Sequence, residues 1–215
     1  MPKDSALRLA RPGSDAGIAI GPILFVVAIL GILAAAIAAG SGSFTGSSST
    51  EAARTKAAAL IQIGQTLKVG ADRLIGIGYD ADTITIDVTS TVNDSDLFSP
   101  SGGGVGIPSV TMANAPSTDA WYYTHLPVTS MGTTATELVA FLPVALNVCD
   151  QINVKANAIS TSATDSSLAA DIGNLANDPS VAAAWPTALG AKMTGCLRGT
   201  GTSSGYFFYQ VLVLR

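Results

Sequence analysis

The sequence predicts an α+β protein: a long hydrophobic N-terminal helix followed by a globular head with an antiparallel β-sheet. Three observations carry that prediction. No residue from Ala16 to Thr50 is charged, and Ile18 to Ala39 is almost entirely Ile, Leu, Val, Ala, Phe and Gly. Apolar residues then recur at three- and four-residue steps from Leu60 to Leu74, the period of a helix with one buried stripe. Beyond Tyr79 the period falls to two, and apolar runs alternate with turn-rich sequence up to a final "GYFFYQVLVLR".

Bulk composition narrows the partners. A chain of 215 residues suits one domain plus an extended segment. Charged residues make up 12% of it, about half the usual share. The net charge of -4 and pI near 4.7 leave no basic field to displace counterions from a phosphate backbone, so nucleic acid is not an expected partner. No polybasic patch for anionic lipid is present in the sequence.

The first element is the apolar run 18–39. As a helix it would reach about 33 Å, enough to cross a hydrocarbon core of about 30 Å. Lys3, Arg8 and Arg11 precede it and would hold that end in the cytoplasm, leaving the remainder outside. A secretory signal is the competing reading, because "AAAIAAGS" offers small residues for cleavage, although the apolar run exceeds the roughly 7–15 residues of a signal core.

"GILAA", Gly31 to Ala35, begins at the fourteenth residue counted from Ile18, and Gly17 ends the basic stretch before it. In these two marks the segment resembles the type IV pilins and pseudopilins, whose precursors carry a short basic leader ending in glycine ahead of a hydrophobic helix. The resemblance covers about residues 11–39 and implies the following organisation. Prepilin peptidase cuts between Gly17 and Ile18, so 1–17 is a cleaved leader. Residues 18–76 form the long helix, with 18–39 as membrane and filament core and 40–50 as a flexible connector, and 77–215 form the head. The precursor sits in the inner membrane and then polymerises with copies of itself or other pilins into an extracellular filament. Pro22 departs from the pattern, since family members usually carry glutamate at the fifth residue after the cut. Proline lacks a donor and fits a helix only in its first turn, which puts the helix start near Gly21. Gly31, Ala34, Ala35 and Ala38 would let assembled helices approach closely.

Ser41–Thr50 is poor in helix formers and includes Gly42 and Gly46, the composition of a flexible connector or a weak helical stretch. Ser48-x-x-Glu51 reads as a capping box opening a second helical stretch to Ile75, whose buried stripe is Leu60, Ile63, Leu67, Ala71 and Leu74. Gly76 and Gly78 stop it. Strands are expected at Thr83–Val88, Trp121–Thr124 and Glu137–Leu142. A short helix after Pro143 carries Cys149 on its apolar side, "ISTSATDSS" is loop, and Gly205–Arg215 is a central strand buried on both faces. Cys149 and Cys196 are the two cysteines; export would bridge them, as in many pilin heads, and two buried free thiols are the alternative.

Chemistry is sparse. Gly201-Thr-Ser203-Ser-Gly205 matches a hydrolase nucleophile pattern, but a strand follows it and the single histidine, His125, precedes it. His125 alone is a poor zinc ligand and reads as a surface or strand-end residue. "GGGVG" at Gly102–Gly106 lacks the Lys-Ser/Thr of a phosphate loop. Asp80, Asp82, Asp94 and Asp96 could gather oxygen ligands for calcium but reproduce no known loop, so solvated charges are the simpler reading. Trp121, Tyr122 and Tyr123 read as core ahead of an adhesive surface. No catalytic residue, cofactor or metal is expected. The function read from the sequence is a structural filament subunit; the alternative is a monomeric periplasmic or secreted binding or enzymatic domain with an N-terminal anchor or signal.

Overall fold

A computed structural model describes residues 20–88, 93–109, 121–126, 128, 131, 137–171, 185–200 and 204–215. It comprises two compact units, Met1–Ser48 and Ser49–Arg215. Helix α1 spans Ile20–Gly76 and belongs to both. The backbone stays helical through Ser41–Thr50, the second of the two readings of that stretch, because a glycine inside a helix costs only about 1 kcal/mol and no proline interrupts the run. The helix is therefore already formed before the expected capping box, and Glu51 forms an ion pair at 2.6 Å with Arg54 one turn on.

In the second unit the buried stripe of α1 is Ala53, Ala57, Leu60, Gly64, Leu67, Ala71 and Leu74, at alternating steps of four and three. Ile63 lies half-buried at its margin. Gly64 takes the inner position because the helix meets the sheet there with no room for a side chain: a Cβ would come within 2.7 Å of Gln210 Oε1 and 2.8 Å of Phe208 Cζ. The helix ends at a left-handed Gly78, with Tyr79 N–H donating to Leu74 O and Gly78 N–H to Ile75 O, which satisfies the last carbonyls.

The sheet comprises β1 (Tyr122–Leu126), β2 (Glu137–Val144), β3 (Ala169–Asp171), β4 (Thr194–Thr200) and β5 (Gly205–Val213), in the order β1-β2-β5-β4-β3. Helix α2 (Leu146–Asn157) follows β2. β5 is central, as its continuous apolar run predicts. Its even-numbered Phe208 and Leu212 face the core shared with α1 and α2, and Phe207, Tyr209 and Val211 face a second core with Phe141, Trp185 and Leu197. Pro143 is tolerated in β2 because β1 stops pairing at Phe141, so β2 has an edge at that point.

Three expectations need correction. The sheet is mixed, not antiparallel: β3 runs parallel to β4, with Ala169 opposite Arg198, a pairing that no hairpin can join and that the more than twenty residues between the strands permit. Among the described residues no helix is long and apolar enough to cross a membrane. The apolar residues described as exposed, 23–38, are sixteen, about 24 Å of helix against a hydrocarbon core of about 30 Å. Thr83–Val88 joins no strand of the sheet. Its alternation places Ile84 and Ile86 in the core, but its neighbour is a tight loop, and among the described residues it forms one bridge, from Thr85 to Asp96, after a 3-10 turn at Ala81–Thr83.

Candidate assembly surface

The features singled out from the sequence fall in different parts of the chain. Gly17 and Ile18, and the leader before them, lie outside the described residues. Pro22 is the third residue of α1 as described, and a proline's missing donor costs least in a helix's first turn. Gly31, Ala34, Ala35 and Ala38 all lie on exposed helix, and a Cβ at Gly31 would meet nothing within 4 Å.

Around them α1 is apolar at every azimuth. Ile23, Leu24, Phe25, Val26 and Val27 are consecutive and each is 54–66% exposed, and at about 100° per residue they cover the whole circumference. Ile32 and Ile37 are 70% and 71% exposed. A helix with a single docking partner keeps a polar side for water; one that is apolar all round needs cover on all sides. No charged residue lies on this stretch to orient a ligand or move a proton.

The head carries the disulfide. Cys149 of α2 is bonded to Cys196 of β4 with a Cα–Cα distance of 5.3 Å, both cysteines being fully buried. One turn after Cys149, Asn153 donates to Cys196 O at 2.8 Å and accepts from Cys196 N–H at 2.8 Å, and Asn157 donates to Thr194 O at 3.1 Å. β3 pairs only with Arg198 to Thr200, so these amides occupy the part of the β4 edge that β3 leaves uncovered. Sequence reasoning missed both asparagines. The available signal was their i, i+4, i+8 spacing from Cys149.

The other candidates do not converge. Asp96 is buried and its carboxylate accepts from Thr85 Oγ1 and from the N–H groups of Asp87 and Phe98, each at 2.8 Å, so it organises its own loop. Asp94 accepts from Ser101 Oγ at 2.5 Å. Asp82 pairs with Arg215 at 2.8 Å, a bond that holds its carboxyl below the ordinary range. Among the described residues no group of three or more His, Cys, Asp or Glu is placed to hold a metal ion. His125 is buried in β1 and not at the surface, its Nε2 3.4 Å from Ala81 O and 3.7 Å from Asp82. Gly102–Gly104 lies in a close-packed turn, with Gly104 at φ 69°. Ser203 lies outside the described residues, and Gly205 opens a strand and not a helix. Trp121 is core, edge-on to Phe208 at 6.2 Å. Burial, followed by the charges of Asp96 and Asp87, raises the pKa of Tyr123.

No family model matches the chain, and no curated protein or solved structure matches it.

Proposed function

We propose that the chain is a structural subunit that polymerises through the apolar stretch of α1 into a filament of the type IV pilus or pseudopilus kind. It works by assembly and turns over no substrate. The observation that carries this reading is the all-round apolar exposure of Ile23–Ile37, which a single partner groove could not cover and a bundle of identical helices would. Small residues among the large ones support it, because helices that lack a hydrophobic gradient between them associate by close van der Waals contact. In this reading prepilin peptidase removes residues 1–17. The apolar surface is shielded by inner-membrane lipid until copies of the chain replace it, and the head is carried outside the cell. The Cys149–Cys196 bond fits such an oxidising destination.

Electron microscopy and intact-mass measurement of material sheared from the surface of the host test this reading together. Filaments built of chains that begin at Ile18 are the expected result. A soluble monomer beginning near Gly40 or Ser41 would overturn it in favour of a signal-cleaved domain.

A further inference from the structure

Asn93-Asp94-Ser95 is the one Asn-x-Ser/Thr sequence among the seven asparagines of the chain. Asn93 and Asp94 are exposed and Ser95 is half-buried. The turn they form is held from its far side. Asn93 O accepts the Asp96 N–H at 2.9 Å, Ser95 O accepts the Thr85 N–H at 3.2 Å, and the buried Asp96 carboxylate then gathers its three donors. Leu97 and Phe98 immediately enter the core. Among the described residues nothing engages the Asn93 side-chain amide, whereas Asn153 and Asn157 spend theirs on β4.

We propose that Asn93 is an N-glycosylation acceptor. The disulfide supplies an independent sign of export, the setting in which such sequences meet a transferase. The sugar donor is a lipid-linked oligosaccharide joined through diphosphate to a polyprenyl chain. The Asn93 amide nitrogen attacks the anomeric carbon and a C–N bond forms. The C–O bond to diphosphate breaks with its electron pair leaving on the phosphate oxygen, and one amide proton passes to a base of the transferase. A hydrophilic chain at this turn would also cover part of a head surface that has few charges of its own. The inference rests on the export that the filament reading also requires, but not on polymerisation.

Intact mass of the protein isolated from its own host, with sequencing of the peptide containing Asn93, is the test. The expected result is one or more sugar residues above the polypeptide mass, carried on Asn93, lost in Asn93→Gln and in Ser95→Ala and kept in Ser95→Thr. Wild-type protein at the bare polypeptide mass overturns the proposal, as does an increment that persists in Asn93→Gln. Filament formation is scored separately: filaments of unmodified protein sink this inference alone, and a modified but monomeric protein sinks the assembly reading alone.

Discussion

Ala158 ends α2 in the left-handed region, at φ 55° and ψ 27°, where a Cβ crowds the following carbonyl at a cost of about 1–2 kcal/mol. Glycine removes that contact but loses more freedom on folding, so Ala158→Gly should stabilise the head by about 0.5–1 kcal/mol, read as a higher denaturant midpoint. Asp82 makes a smaller, pH-bounded contribution. Its hydrogen bond to Arg215 lowers its pKa from the ordinary 3.8, so the stabilisation is present above that value and is lost as pH falls through the lower folded pKa. The stability difference between the protein and Asp82→Asn should persist from neutral pH down to about pH 4 and shrink below it. The size of that difference is small because the Asp82 side chain is 63% exposed. At this scale the sequence is a poor guide. An alanine at a left-handed position and an asparagine that bonds a strand edge look like ordinary helix residues until the fold places them.

Among the elements, α1 was the most legible because its stripe is periodic: Leu60, Leu67, Ala71 and Leu74 are buried as the spacing requires. The spacing did not select Gly64 over Ile63, since a glycine has no hydropathy signal and its inward place is set by how close β5 comes. Gly64→Ala sets about 1 kcal/mol of helix propensity against overpacking of about 1–3 kcal/mol on the Phe208 ring, and overpacking should win. A net loss of about 1 kcal/mol in urea unfolding is expected; a gain would mean that the helix can lift off the sheet. β3 was invisible for a different reason. Ala169–Asp171 is three residues long with no alternation to read, so the parallel pairing that makes the sheet mixed had no local signature. The link between α2 and β4 was partly legible as two cysteines. Reducing the 47-residue separation they close should cost about 4 kcal/mol in the chain-entropy model, measured as the stability difference between the oxidised protein and a Cys149→Ser/Cys196→Ser variant. The pair of bonds from Asn153 to Cys196 keeps α2 on the strand edge in that variant, so it should unfold earlier without losing its fold.

At the scale of the whole molecule the chain divides its work between two units with opposite surfaces. Ser49–Arg215 has two packed cores and a disulfide of its own, while 23–38 exposes apolar side chains on every side. The backbone gives no break between them, because the helix continues through Ser41–Thr50. The division sets the terms of the assembly test. In the assembly reading Pro22 stands where the type IV pilins that 18–39 resembles usually carry glutamate, so packing alone would have to hold register here. Gly31, Ala34, Ala35 and Ala38 set how near two helices can come. Replacing Ala34 and Ala38 with Leu adds bulk on that side without adding charge, which leaves the stretch as apolar as before and the head untouched. The expected outcome is loss of filaments at unchanged expression and unchanged head melting temperature, seen by microscopy of the cell surface alongside thermal unfolding. Filaments at normal yield would show that close helix approach is not what compensates for Pro22, and the chain would then fit a minor subunit that needs no neighbour above it.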